Sequence, residues 1–268
     1  PFEPTVGQAG KDVVWVPTPQ ALVEKMLDLA KVTPQDFVMD LGSGDGIIVL
    51  TAAKQFRARG LGIDIDPQLV KLSNDSAQRM GVADRASFQV QDVFKADLSK
   101  ASVLTLYLLP SMMGELQQKV YSELKPGARV VSHDYHFGED WRPDDYVSFD
   151  VPEKEKVNGV PRATIYLWVV PARIGGKWRL RIDGSAPEYE IEFKQRFQHF
   201  DGAAHAGGRT LKLELPQLRG EDIRFAFSAG AGRHVFYGRV KGDAMEGKVQ
   251  LGSGKGTVRW TAARVGTP

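Results

Sequence analysis

The hydrophobic period of the chain changes once, near Pro171. Before that point, from Thr18 on, stretches with apolar residues three and four apart alternate with short apolar runs; after Ile174 nearly every stretch alternates apolar and polar residues between glycine-rich turns. Helical stretches separated by wholly apolar runs predict a mostly parallel sheet covered by helices on both faces. Successive alternating runs predict an all-β unit. A length of 268 residues accommodates both, so the expected division is one domain over residues 1–172 and a second over 173–268.

Residues 20–30 place Leu22, Met26 and Leu29 on one helical face, with Thr18 and Pro19 supplying a cap and a first-turn proline. An apolar run over 37–41, a glycine loop, helical spacing over 47–56 and a run over 60–64 complete a strand–loop–helix–strand unit. The alternation continues with a helix over 67–80, strands over 86–90 and 103–108, a helix over 112–124 and a strand over 129–134. Two late runs, 146–151 and 163–170, have no helical pattern between them and predict an antiparallel pair closing the sheet. The expected fold class is therefore α/β, a doubly wound sheet with an antiparallel closing strand pair, followed by an all-β meander barrel.

Composition excludes several activities. Lys+Arg 35 against Asp+Glu 33 leaves a net charge of +2, too balanced for bulk attraction to nucleic acid, so no nucleic-acid partner is expected. No window approaches the roughly 18 uninterrupted apolar residues of a membrane-spanning helix. With no cysteine there is no disulfide, thiolate nucleophile or cysteine-ligated zinc. The start at Pro1 without methionine is expected to follow removal of an upstream segment, either an expression leader or a targeting peptide.

The segment Asp40-Leu41-Gly42-Ser43-Gly44-Asp45-Gly46 puts glycines at alternate positions between a strand and a helix, where backbone can approach a ligand closely. A dinucleotide fingerprint would want glycine or alanine at position 47, which is Ile47, and a nucleotide-triphosphate loop would want a lysine that Gly46-Ile47-Ile48 lacks. Asp64 ends the next strand, where a carboxylate can accept both hydroxyls of a ribose. Asp92 follows the third strand and can accept from an exocyclic amine. Three carboxylates at three successive strand ends suit an adenosine carrying a cationic sulfonium; taken singly, Asp40 or Asp64 is equally well a capping or turn residue.

Val38-Met39-Asp40-Leu41-Gly42-Ser43-Gly44-Asp45-Gly46, Gly62-Ile63-Asp64 and Gln91-Asp92-Val93-Phe94 resemble motifs I to III of the seven-stranded, Rossmann-like S-adenosylmethionine-dependent methyltransferases. The resemblance implies S-adenosyl-L-methionine as cofactor, lying across Gly42, Ser43, Gly44 and Gly46, with its ribose on Asp64, its adenine near Asp92 and Val93, and Ile65 packed on the ring. Asp66, followed by Pro67, suits a helix start better than a ribose. More narrowly, Trp15-Val16-Pro17-Thr18-Pro19, Tyr107-Leu108-Leu109-Pro110-Ser111 and Leu124-Lys125-Pro126-Gly127-Ala128-Arg129-Val130-Val131-Ser132 resemble a protein-lysine methyltransferase family with mitochondrial members and, more distantly, certain histone-lysine enzymes. The likeness spans residues 12–140. It implies a protein lysine as methyl acceptor, although this sequence lacks the membrane segment of the mitochondrial members and carries a β domain foreign to them.

In that setting Trp15 belongs to the cofactor site and, with Tyr107, lines a hydrophobic approach that favours a neutral amine; Trp15 as a plain packing residue stays open. Methylases of amide or base nitrogens typically carry Asn or Asp followed by two prolines where this chain has Tyr107-Leu108-Leu109-Pro110, which argues against planar-nitrogen chemistry. His133-Asp134-Tyr135-His136 falls just beyond the fifth strand, at the edge where open α/β sheets place chemistry. Tyr107 and His133 are thus the catalytic candidates, a polar strand end being the alternative for His133. No metal is expected, because two histidines three apart on an extended segment need not face one point. A small-molecule methyltransferase and a non-catalytic adenosylmethionine sensor are the rival functions. Cofactor supply favours a cytoplasmic home, with export after signal-peptide removal open, and nothing indicates the oligomeric state.

Past residue 174, alternating runs over 176–182, 189–197, 199–205, 209–215, 223–228, 234–240, 244–249 and 256–262 predict about eight strands of an up-and-down barrel. Gly176-Lys177-Trp178 resembles the Gly-x-Trp opening of lipocalin-type barrels. The interior is expected to be filled by its own side chains, making the unit an interaction or dimerisation module; the alternative is a hollow barrel that holds one small ligand and presents an apolar substrate or a peptide to the methyltransferase site.

Overall fold

Val38, Met39, Asp40 and Leu41 are all buried, the signature of a central strand covered on both faces. In the computed structural model, which describes residues 2–8, 15–185, 187–230, 232–252, 254 and 256–266, this strand lies in the middle of a seven-stranded sheet. Its strands are β1 (Phe37–Leu41), β2 (Arg59–Asp64), β3 (Ala86–Val90), β4 (Val103–Leu106), β5 (Arg129–His133), β6 (Asp145–Asp150) and β7 (Arg162–Val169). They run in the order β3-β2-β1-β4-β5-β7-β6. The first five are mutually parallel and β7 and β6 antiparallel, in agreement with the Rossmann-like doubly wound reading. The order reverses between β1 and β4, so the crevice outside their carboxyl ends is where such a sheet receives ligands.

Helix α1 (Gln20–Leu29) precedes β1, and α2 (Ile47–Gln55), α3 (Pro67–Arg79), α4 (Pro110–Glu123) and α5 (Pro152–Asn158) lie in connections between strands. Apolar residues of α1 pack with Val38, Val103, Val131 and Ile165 on one side; Val49, Leu50, Val70, Ala77 and Phe88 form a second cluster. Four expectations need correction. A two-turn helix, α5, occupies the β6–β7 connection; at seven residues it is too short to show a helical repeat. Strand β4 stops at Leu106, and α4 begins at Pro110, whose fixed φ suits a first turn. Pro19 is itself the N-cap of α1, and no side chain, Thr18 included, caps that helix. Finally, β5 ends at His133, one residue short of the run expected over 129–134, so of the cluster His133-Asp134-Tyr135-His136 only His133 lies in the strand and the other three follow it. Among the described residues no helix is long and apolar enough to cross a membrane.

The chain divides into two compact units, Pro1–Val169 and Val170–Pro268. The second contains β8 (Gly176–Ile182), β9 (Tyr189–Arg196), β10 (His199–Ala206), β11 (Arg209–Lys212), β12 (Glu214–Arg219), β13 (Asp222–Ala229), β14 (Gly232–Lys241), β15 (Ala244–Gln250) and β16 (Thr257–Arg264). Their order is β11-β10-β9-β8-β16-β15-β14-β13-β12. The single strand expected over 209–215 is instead one bent segment that continues to Arg219. Its first part pairs with β10 and its second with β13, so the antiparallel sheet rolls nearly closed. The break falls at Leu213, buried inside, and Leu215, at φ 51. Pro216 sits where the β12–β13 register shifts, a position that does not need its missing N–H.

Side chains fill the interior of this barrel. Trp178, Ile191, Phe225, Phe227, Phe236 and Trp260 belong to one buried cluster, with Phe225 and Phe236 stacked at 4.8 Å and Trp260 edge-on to both. The Trp260 ring requires Gly238, where a Cβ would lie 2.5 Å from its Cζ2. At one end Arg264 lies over the Trp178 ring at 4.4 Å and donates to the Gly175 and Arg173 carbonyls at 2.6 Å each.

Candidate functional site

The loop after β1 is built by conformations that side chains resist. Gly42, Gly44 and Gly46 have φ of 76, 53 and 82, the left-handed region open to glycine. Gly42 N and Ser43 N both donate to the Ile63 carbonyl at 2.8 and 2.9 Å, which ties the loop to β2. Gly44 N donates to Asp64 Oδ2 at 2.8 Å, and Asp66 N to Asp64 Oδ1 at 2.9 Å. Each Asp64 oxygen keeps a second acceptor position. Asp66 spends one oxygen capping α3 through Gln68 N at 2.8 Å and the other on Gln8 Nε2 at 3.4 Å, as its place before Pro67 suggests.

These residues border a cavity of about 530 Å³. Its wall includes Trp15, Asp40, Gly42, Ser43, Gly44, Asp64, Ile65, Asp92, Val93 and Tyr107, ten of the twelve residues singled out from sequence. The other two lie elsewhere. A Cβ on Gly46 would meet Phe88 and Ser73 at 2.8 Å, so this glycine serves the close packing of the loop on β3 and α3. His133 is 1 % exposed, behind Tyr107, its ring centroid 4.1 Å from that of the tyrosine. Asp45, Gln8, Pro17, Thr18, Leu108, Leu109, Met112 and Tyr135 also line the cavity without having been singled out as cofactor or catalytic residues. Asp45 and Tyr135 stood inside motifs already noticed; Gln8 had no local signal.

Electrostatically the cavity is a trap for a cation. Asp40 is 3 % exposed and its carboxyl is pushed up to about 7, chiefly by burial, with Asp64 and Asp45 adding to the effect and a 2.7 Å hydrogen bond from Thr105 opposing it. Burial also raises Asp64 and Asp45. A positive ligand charge would relieve this cost. The Ser43 hydroxyl is buried with no hydrogen-bond partner among the described residues, and the indole of Trp15 lies so close that a Cβ on Gly44 would come 2.7 Å from its Nε1. Asp92 Oδ1 accepts from Phe94 N at 3.0 Å and opens a 3-10 turn over Val93–Lys95. A hydroxyl-rich, cationic nucleoside fits this set of donors and acceptors.

The far end of the cavity is aromatic. Tyr107 and Tyr135 stack at 6.4 Å at the ends of β4 and β5, so the wall runs from Asp92 after β3, through Asp64 and the glycine loop, to these rings in sheet order. The phenol of Tyr107 is pushed up to about 12 by burial, then by Asp134 and Tyr135. His136 turns away from this wall; its Nδ1 accepts from Gly138 N at 3.0 Å and its ring stands edge-on to Tyr166 at 5.4 Å.

Comparison with known proteins bears on this geometry. Residues 40–145 match the family model described as the ANTKMT methyltransferase domain. A protein-lysine N-methyltransferase of Saccharolobus islandicus (strain REY15A) is 37% identical over 159 residues, 59% of this chain and 94% of that one. The adenine nucleotide translocase lysine N-methyltransferase of Mus musculus is 37% identical over 110 residues; the match spans 41% of this chain and 48% of that protein's length. Among solved structures, an RNA methyltransferase from Salinibacter ruber in complex with S-adenosyl-L-homocysteine is 46% identical, superimposes with a TM-score of 0.54, and is covered over 96% of its length by 59% of this chain.

Proposed function

Because this chain belongs to the protein-lysine N-methyltransferase family and is an S-adenosylmethionine-dependent methyltransferase, we propose that its methyl acceptor is the ε-amine of a lysine in a protein. The observation that supports this most directly is the layout of the cavity, carboxylates at one end and tyrosines at the other on adjacent strand ends. In this reading Asp64 accepts from the ribose hydroxyls, Asp92 and Val93 hold the adenine with Ile65 on its face, and Asp40 and Ser43 face the cationic portion. Gly42 and Gly44 let the backbone approach, and Trp15 covers the loop. Bound there, the cofactor would supply a methyl group activated by its sulfonium, and an acceptor nitrogen would need a free lone pair to take it.

The chain's own contribution is alignment and exclusion of water. Tyr107 and Tyr135 flank the approach of the amine, desolvating it and so favouring the neutral form that carries a lone pair. His133 supports Tyr107 from behind. The relative from Salinibacter ruber, whose name specifies RNA, makes the nature of the acceptor a matter for experiment. Purified protein incubated with methyl-labelled S-adenosylmethionine and, separately, poly-L-lysine or total RNA should label the polypeptide alone, as Nε-methyllysine after acid hydrolysis. Label confined to RNA would overturn the proposal.

A further inference from the structure

Behind the tyrosine wall lies a charged pair, Lys154 and Asp134, that is not part of the cavity lining. Lys154, on α5, is 4 % exposed, and its ammonium donates to Asp134 Oδ2 at 2.7 Å and to the Arg162 carbonyl. Asp134 is clamped from several sides. It has φ 60, its N–H donates to the Thr164 carbonyl at 2.7 Å, its Oδ1 accepts from Thr164 N at 2.9 Å, and His133 Nε2 stands 3.3 Å from its Oδ2. Although burial works against the charge, the adjacent His133 ring and the Lys154 ammonium hold the Asp134 carboxyl well below the usual carboxylate range. Helix α5 comes near the wall a second time, where the Asn158 side chain faces the Tyr107 phenol and works against the rise of its pKa.

Removing a buried ammonium from such a pair leaves a carboxylate with no counter-charge in a poorly solvated place. The titratable and charged groups facing Asp134 are His133 on β5, Lys154 on α5, Tyr107 beyond β4, Tyr135 beside it, and Tyr166 on β7; Arg162 offers only its carbonyl and pairs its side chain with Asp150 at 3.3 Å. Lys154 is therefore the only permanent cation in this set of neighbours. An uncompensated carboxylate behind Tyr107 would favour an arriving ammonium over the amine.

We propose that Lys154 is a positioning residue for methyl transfer: by neutralising Asp134 behind the His133–Tyr107 wall, it keeps the acceptor end of the cavity free of net negative charge, so that the incoming lysine is held as the reactive amine. This rests on the amine acceptor proposed above. It goes beyond that reading because Lys154 touches neither substrate and acts only through the charge it cancels.

The test is the pH dependence of methyl transfer to poly-L-lysine by the full chain, with S-adenosylhomocysteine affinity followed in parallel. Lys154→Met should move the rising limb of kcat/KM about one pH unit upward, roughly a tenfold loss on that limb, with cofactor affinity unchanged. Lys154→Arg should stay near the wild-type curve. The double variant Asp134→Asn with Lys154→Met removes both charges, places asparagine where a left-handed φ is tolerated, and should return the limb to its original position. A Lys154→Met profile that superimposes on wild type, a shift retained in the double variant, or a matching loss of cofactor affinity would each overturn the inference. If the wild-type protein leaves poly-L-lysine unmethylated, the lysine reading falls by itself. Charge control is then read from the His133 ring resonances of the S-adenosylhomocysteine-loaded proteins, which should differ between wild type and Lys154→Met and coincide between wild type and the double variant; any other pattern overturns it.

Discussion

Substituting Asp64 tests the centre of the cofactor site with little change of shape. Its two oxygens already accept Gly44 N–H at 2.8 Å and Asp66 N–H at 2.9 Å, leaving one further acceptor position on each for the ribose. Asparagine has the same outline but a single acceptor oxygen. Whichever way its amide turns, one backbone N–H faces an NH2 group, and one ribose hydroxyl loses its charged acceptor. A hydrogen bond to a charged group contributes about 1.5–3 kcal/mol, so Asp64→Asn should weaken S-adenosylhomocysteine binding by about 10- to 150-fold. Alanine removes both ribose contacts and also frees the loop from β2, so Asp64→Ala should bind more weakly still. Calorimetric titration at a pH where all the carboxylates are ionised, with unfolding temperature as a control for folding, measures both. A dissociation constant for Asp64→Asn within twofold of wild type would refute the ribose assignment, as would an asparagine variant weaker than the alanine one.

The Asp40 carboxyl, raised to about 7 by burial, makes cofactor binding depend on pH. A cationic ligand favours the ionised form, so S-adenosylmethionine affinity should rise as pH increases toward 7 and level off above it, with proton release at pH 6 visible as a buffer-dependent heat; Asp40→Asn should flatten the curve. The same shift acts on stability with the opposite sense. The folded protein holds this proton more tightly than the unfolded chain, so the contribution of Asp40 should fall between its ordinary value of 3.8 and about 7, and denaturation midpoints of the ligand-free wild type and Asp40→Asn should diverge across that range. Gly62→Ala should destabilise the first unit by about 1–3 kcal/mol, because its Cβ would lie 2.3 Å from Phe88 Cδ1 and 2.7 Å from Ser43 Cβ; an unchanged urea midpoint would contradict the packing. Arg264→Met should destabilise the barrel by about 1.5–3 kcal/mol through loss of its bonds to the Gly175 and Arg173 carbonyls, a loss measurable in the same denaturation experiment.

The local pattern of residues 37–64 is legible in the sequence because every element there has a short-range cause. A run of buried apolar residues makes β1, glycines make the only loop that can take three left-handed positions, and an acidic residue ends β2. The same is true of most barrel strands, whose alternation follows from one face being filled and the other wet. The bend at Leu213 was not legible, since nothing in Leu211-Lys212-Leu213-Glu214-Leu215 distinguishes a strand that changes partners from one that does not.

Motif spacing placed Asp40, Asp64 and Asp92 at successive strand ends, but only the order of strands in the sheet put Tyr107 and Tyr135 at the opposite end of the same cavity. Gly46 stood in the sequence with the loop glycines expected against the cofactor, whereas the packing of Phe88 and Ser73 against it comes from residues far along the chain. Nothing in the run Glu153-Lys154-Glu155-Lys156 sets Lys154 apart. Its burial against Asp134 arises because β6 and β7 fold back beside β5 and carry α5 with them. Hydrophobic period and backbone conformation are set by neighbours along the chain, whereas the pairing of a charge, the filling of a void and the lining of a cavity depend on which distant segments the sheet brings into contact.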